Sequence, residues 1–136
     1  MNNQSDKILS SLNEADYPLL GIYFSAHWCP PCKAFTPKLA TFYNNVNKKE
    51  KVLEIVFFSW DNSEEEFKDY FSHMPWKAIT LGNEKINQVA GSNGIKSIPT
   101  LLIFKNGKLV SKTARNSVAN CQNEEDQSNL IEEWLA

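Results

Sequence analysis

The sequence has little excess charge of either sign. Its 14 basic and 16 acidic side chains leave a formal charge of −2 over 136 residues. Nucleic-acid binding usually draws on a basic face, and attraction to an anionic membrane on a similar excess, so neither is expected as a partner. Long apolar runs are missing too: none approaches the roughly 18 residues of a membrane-crossing helix. The first residues, Met1-Asn2-Asn3-Gln4-Ser5-Asp6, have neither the charged nor the apolar region of an export signal. A cytoplasmic or nuclear protein is expected. Cysteine is scarce, with three residues and therefore one odd, which argues against a stapled scaffold. No repeat with a period of about 20–50 residues and no low-complexity tract breaks the chain.

What is present describes one compact soluble domain over residues 1–136, 42% hydrophobic. A domain of this size buries about two-thirds of the surface its unfolded chain exposes, so its core holds without disulfides. Residues 1–16 are polar, with Ile8, Leu9 and Leu12 at helical spacing, and read as a short helix or a loosely docked N-terminal tail. Leu19-Leu20-Gly21-Ile22-Tyr23-Phe24 reads as a strand buried on both faces. Phe35, Leu39, Phe42 and Val46 then form one stripe of a helix over residues 30–47. Pro37 lies inside it and cannot offer an N–H to the Lys33 carbonyl, which predicts a kink near the second turn.

A second buried strand spans 52–60. Ser63-Glu64-Glu65-Glu66 is a capping box opening a helix whose buried stripe is Phe67, Tyr70, Phe71 and Met74, stopped by Pro75. A short helical turn over 84–90 ends at Gly91. Asn106-Gly107 between residues 100–105 and 108–111 is a strong hairpin signal, because a type I′ turn needs positive φ at both central positions. Leu130, Ile131, Trp134 and Leu135 mark a final amphipathic helix. The order predicts an α/β fold, a central mixed β-sheet flanked by helices on both faces.

Two cysteines stand as Cys29-Pro30-Pro31-Cys32 where the first strand hands over to the helix. Proline at the first helical position places the Cys29 sulfur at the helix N-terminus. Orphaned N–H groups and the dipole's positive end favour a thiolate there, so the Cys29 pKa is expected within about 3.5–7.5. Neither proline has an amide proton, which leaves Cys32 N–H as the first donor able to reach that sulfur and makes the lowering moderate. Cys32, one turn in, is placed to attack a mixed disulfide formed at Cys29. The prolines also stiffen the loop and hold the sulfurs near bonding distance. Two alternatives stand beside redox chemistry. Half of a zinc site would need Cys121, His27 and His73 as its remainder, with no second CxxC or HxxxH pair to supply it. Two ordinary buried cysteines fit poorly with the flanking tryptophan and prolines.

Trp28-Cys29-Pro30-Pro31-Cys32-Lys33, with Pro37 and the distant Ile98-Pro99-Thr100, resembles the thioredoxin superfamily. Within it, the run Tyr23–Cys32, Phe35-Thr36-Pro37, Phe58-Ser59-Trp60-Asp61 and Met74-Pro75-Trp76 resembles the tryparedoxin and nucleoredoxin branch, from about residue 19 to 118. The resemblance implies a thioredoxin fold with a cis Ile98–Pro99 bond facing the cysteines; few X-Pro bonds are cis, and the residues alone do not give it. It implies catalytic Cys29 and Cys32 forming a redox-active disulfide, with no bound cofactor or metal. Trp28, Pro30, Pro31, Trp60, Ile98 and Pro99 are implied as the substrate-binding surface.

Tyr23 stands where ordinary thioredoxins keep a buried aspartate, which directs attention to Asp61. It reads either as a proton relay for Cys32 or as a solvent-exposed turn residue before the Ser63 cap. Arg115 reads as a dock for a charged thiol or as a solvated side chain. Trp76 reads as packing, Cys121 as incidental or a small hydrophobe, and His27 and His73 have no assigned role. The implied function is a monomeric dithiol–disulfide oxidoreductase that reduces protein disulfides, peroxidases among them. Its electrons would come from thioredoxin reductase, glutathione or trypanothione. The alternative is a nucleoredoxin-type interaction module switched by the redox state of Cys29 and Cys32, with little turnover.

Overall fold

The computed structural model describes residues 8–9 and 17–136. Six strands form one sheet: β1 (Ile8–Leu9), β2 (Leu19–Ser25), β3 (Leu53–Ser59), β4 (Lys77–Ile79), β5 (Thr100–Lys105) and β6 (Lys108–Ser111). Their order across the sheet is β1-β4-β3-β2-β5-β6. β2, β3, β4 and β1 run parallel, while β5 and β6 are antiparallel to their neighbours. The helices are α1 (Pro30–Val46), α2 (Glu64–Phe71), α3 (Glu84–Ser92), α4 (Ala114–Ala119) and α5 (Glu124–Leu135).

Strand alternation divides the core in two. Leu19 and Tyr23 of β2, Leu53, Ile55 and Phe57 of β3, and Leu101 and Ile103 of β5 face a cluster completed by apolar residues of α1, α2, α4 and α5. The intervening Ile22, Phe24, Val56, Phe58 and Leu102 face Ile86 and Ala90 of α3. Helices thus cover both faces, unequally. Phe57 is the hub of the larger side, fully buried, with ring centroids 5.8 Å from Phe67, 6.2 Å from Phe71 and 5.6 Å from Tyr70. Gly21 sits in close packing: a Cβ there would come within 3.2 Å of Ile55 Cγ1, and that side chain would have to give way by a few tenths of an ångström.

Several expectations hold and others are corrected. The hairpin turns at Asn106 and Gly107 with φ of 52° and 79°. Ser63 Oγ caps α2 by accepting the Glu66 N–H at 3.2 Å. α1 runs through Pro37 unbroken. Ile8 and Leu9 are not helical: they form the edge strand β1, and the Leu9 carbonyl accepts from Thr80 N at 2.7 Å. Paired to β4, two apolar residues gain backbone partners that an isolated turn of helix would lack. Leu12 lies outside the described residues. α2 ends at Phe71, so Met74 is buried in the turn beyond it, where its N–H donates to Phe71 O at 2.9 Å. α3 passes through Gly91 and stops at Asn93-Gly94, where Gly94 takes the positive φ of 64° that ends helices.

Among the described residues the outer edge strand β6 pairs only with β5, and a register irregularity lies between Ile103 and Phe104. It presents Leu109 and Val110 to solvent, 38% and 39% exposed.

Candidate active site

Three segments meet at the C-terminal ends of β2 and β3. β2 ends at Ser25, and a tight turn follows in which Cys29 N–H donates to Ala26 O at 3.3 Å. Cys29 is the N-cap of α1 with extended φ and ψ, and Pro30 and Pro31 fill the first two helical positions. Its Sγ accepts the Cys32 N–H at 3.3 Å, the donor left available by the two prolines. Cys29 and Cys32 form a disulfide, with Cα atoms 5.2 Å apart. Cys32 is fully buried and Cys29 retains 5% exposure, so any reagent reaches Cys29 first. Ala26, Trp60 and Ile98 pack around the pair.

The Ile98–Pro99 bond is cis, and Cys29 Sγ lies 3.9 Å from the Ile98 carbonyl oxygen. Arg115, at the start of α4, donates from Nη1 to the Pro99 carbonyl at 3.5 Å. It therefore braces the proline loop. Trp28 is 49% exposed, and its Nε1 donates to Trp60 O at 3.1 Å, which ties the residue before Cys29 to the residue after β3. Trp60 in turn donates its N–H to Ser25 O at 2.9 Å.

Asp61 is 9% exposed, which removes its reading as a solvent-exposed turn residue. Oδ1 accepts the His27 backbone N–H and Oδ2 accepts the Ser59 hydroxyl, both at 2.7 Å. A carboxylate thereby ties the end of β3 to the residue two before Cys29. Trp76 is buried and meets Tyr23 and Tyr43 edge-on at 5.8 Å and 5.6 Å, as packing. Cys121 is half-buried with Sγ 3.4 Å from Ser117 O, and burial, then the Asp126 charge, pushes its thiol up from the ordinary value. Among the described residues, no group of three or more His, Cys, Asp or Glu is placed to hold a metal ion.

Two arrangements escaped sequence reasoning. His27 Nε2 lies 3.1 Å from Asp69 Oδ2 and Nδ1 4.0 Å from Glu66 Oε2, linking the active-site turn to α2. His73 shares a cleft between α1 and α2 with His27, Lys33 and Asp69. The second is a chain of buried hydroxyls. Tyr23 and Tyr70 reach Thr36 Oγ1 at 2.7 Å and 2.6 Å, Tyr70 also reaches Ser25 at 2.6 Å, and Thr36 donates to Cys32 O at 2.9 Å. Burial, then the neighbouring Tyr70, raises the Tyr23 phenol well above its ordinary range. The signal in the sequence was a polar residue, Thr36, on the buried stripe of α1.

A family model described as "Thioredoxin-like" matches residues 17–109, more than half of the chain. The chain belongs to the thioredoxin-like family. Within that family it falls in the tryparedoxin and nucleoredoxin branch. It is 40% identical over 100 residues to a tryparedoxin of Trypanosoma brucei brucei, covering 71% of this chain and 69% of that protein. Probable nucleoredoxin 1 of Arabidopsis thaliana is 41% identical over 98 residues, and mouse nucleoredoxin 38% over 122. Those alignments cover 71% and 88% of this chain but 17% and 28% of the longer relatives. Among solved structures, tryparedoxin II of C. fasciculata superposes with TM-score 0.69 at 41% identity, covering 74% of this chain and 71% of that one. This thioredoxin-like chain therefore has the thioredoxin fold, and its CxxC pair is a dithiol–disulfide redox centre. No described helix is long and apolar enough to cross a membrane.

Proposed function

We propose that this chain is a thiol–disulfide oxidoreductase working in the direction of protein-disulfide reduction. The observation that supports it most is the placing of Cys29: an N-cap sulfur that accepts a helix N–H and keeps the only exposure of the pair. The Cys29 thiolate attacks one sulfur of a substrate disulfide, and the bond between the two substrate sulfurs breaks. The departing thiolate takes a proton from water, and a mixed disulfide on Cys29 remains. Cys32, after losing its proton, attacks the Cys29 sulfur and expels the second substrate thiolate. Two electrons have passed to the substrate and the Cys29–Cys32 disulfide has formed. We assign Asp61 as the group that takes the Cys32 proton, and Trp28, Pro30, Pro31, Trp60, Ile98 and Pro99 as the surface that receives an extended substrate segment.

A thiol reductant must then reopen the disulfide: thioredoxin reductase, glutathione or trypanothione. A related tryparedoxin II has been solved in complex with glutathionylspermidine, at 39% identity, which favours low-molecular-weight thiols as candidates. The reading treats residues 1–136 as one domain, acting as a monomer in the cytoplasm on protein disulfides, oxidised peroxidases included. Insulin reduction driven by dithiothreitol tests it. Wild-type protein should accelerate precipitation of the insulin B chain, and a Cys29→Ser variant equally fast would overturn the reading. Trapping with Cys32→Ser, which strands substrates on Cys29, should identify the physiological targets.

One observation favours a second reading, a redox-switched interaction module: the indole of Trp28, the residue before Cys29, is exposed and is held by Trp60 of another segment. It predicts slow turnover and a partner affinity that changes on oxidation. Identical binding of a trapped partner to the double Cys29→Ser, Cys32→Ser variant with and without oxidant is expected; a wild type that behaves the same way sinks the idea.

A further inference from the structure

The buried hydroxyls of Tyr23, Ser25, Thr36 and Tyr70 touch no substrate, yet they end on the backbone of the resolving cysteine. Proton arithmetic orders them. A carbonyl oxygen only accepts, so the single Thr36 hydroxyl proton goes to Cys32 O at 2.9 Å. Tyr23 and Tyr70 lie 2.7 Å and 2.6 Å from the same Thr36 oxygen, so both phenols donate to it. With the Tyr70 proton committed, the 2.6 Å contact with Ser25 is made by the serine proton. Each of the four protons has one direction, and Thr36 is saturated: two bonds accepted, one given. A threonine bonding to the carbonyl four residues back is common in helices and means little alone. Here the rotor is held by phenols from β2 and α2, in a site where Tyr23 and Ser25 are fully buried and Thr36 and Tyr70 are 5% and 6% exposed. An unpaired hydroxyl in such surroundings is costly, so the arrangement resists rotation.

We propose that Thr36 is a positioning residue for Cys32, acting with Tyr70 to hold the first turn of α1 where the Cys32 sulfur meets Cys29. This rests on the reading of Cys32 as the resolving cysteine. In that step the Cys32 thiolate displaces the substrate thiolate from Cys29, and the rate depends on how often the sulfur occupies the attacking position. The same constraint favours the closed disulfide over the dithiol. Releasing it slows resolution and makes the pair a weaker reductant, while first attack by Cys29, which needs no approach of the Cys32 sulfur, is little changed.

The experiment compares wild type, Thr36→Val, Thr36→Ser and Tyr70→Phe. The potential of the Cys29–Cys32 pair is measured against glutathione buffers by mass spectrometry, mixed-disulfide resolution by stopped flow, and Cys29 reactivity by alkylation of the reduced protein. Thr36→Val should slow resolution about tenfold and raise the potential by about 30 mV, the equivalent of that factor for a two-electron couple. Alkylation should stay within about twofold, because it depends on the Cys29 sulfur and its exposure and needs no encounter between the two sulfurs. Thr36→Ser, which keeps the hydroxyl, should restore most of both effects, and Tyr70→Phe should shift both in the same direction by less. A folded Thr36→Val protein with unchanged potential and unchanged resolution overturns the proposal. If that variant does not fold, Tyr70→Phe decides by the same criteria. These outcomes are separable from failure of the functional reading, which would appear as wild-type protein inactive on insulin.

Discussion

Removing the Asp61 carboxylate tests whether this buried side chain fastens the active-site turn, as its two 2.7 Å bonds indicate. Hydrogen bonds to a charged group contribute about 1.5–3 kcal/mol each, and a buried donor left alone is penalised by a similar amount. Asp61→Ala deletes both acceptors and strands the His27 N–H, which sums to about 3 kcal/mol once water entry is allowed for. Asp61→Asn keeps one oxygen for the His27 N–H, which cannot rotate, and turns its amide nitrogen to Ser59 Oγ, where the serine proton then loses its acceptor. That loss is about half as large. For a chain of this length, each kcal/mol moves the melting temperature by about 4 °C, so the expected drops are roughly 12 °C for alanine and 6 °C for asparagine. Thermal unfolding followed by far-UV circular dichroism reads both. An Asp61→Ala protein that melts within about 2 °C of wild type refutes the clamp. The same proteins separate fastening from proton transfer. Ser59→Ala removes one of the bonds but leaves the carboxylate, so a relay role predicts that Asp61→Asn slows mixed-disulfide resolution by about 100-fold and Ser59→Ala does not.

Tyr23 and Tyr43 are both pushed above the ordinary tyrosine range, chiefly by burial, with the Tyr70 and Glu54 charges adding respectively. The unfolded chain releases these protons near pH 10 while the folded one retains them, so stability should fall as pH rises above about 10; urea midpoints that hold level from pH 9 to 11 would contradict this. Phe57→Ala empties the hub of the aromatic cluster and should cost about 3–5 kcal/mol in urea unfolding, whereas a loss below about 1 kcal/mol would mean the neighbouring rings close over the gap. The raised Cys121 thiol should alkylate more slowly at pH 8 than a free cysteine, and Cys121→Ser should leave insulin reduction unchanged.

The parts of this molecule written in contiguous sequence were legible before the structure. Cys29 as an N-cap followed by two prolines is a local matter, as are the Ser63 cap and the Asn106-Gly107 turn. Long stripes of apolar residues announced α1, β2 and β3. The short elements β1 and β4 were not legible, because two or three residues have no period to read and exist only by pairing with each other and with β3. Asp61 and the hydroxyl chain failed for a different reason. Their meaning lies in partners 34 and 45 positions away along the chain, as for His27 with Asp61 and Ser25 with Tyr70, and no window of sequence brings those together. The cis bond at Pro99 came from resemblance, since the residues around it permit either isomer.

The strand β6 bears on how the protein survives at high concentration. Among the described residues it is the longer of the sheet's two border strands, and its outer row of backbone N–H and C=O groups is the kind of template on which a second chain can add a strand. Lys108 begins that border, and Lys105 and Lys112 stand just outside it, their amines resting on the Leu135 and Asn93 carbonyls at 2.6 Å and 3.2 Å. Lys108 is thus the lysine that stands on the border strand itself, and its charge acts as a gatekeeper against a second chain. Masking the Lys108 amine by acetylation, or screening it with salt, weakens the guard without disturbing a contact in the core. The charge on that border thus sits on the strand farthest from β1, on a side chain that takes no part in the redox centre.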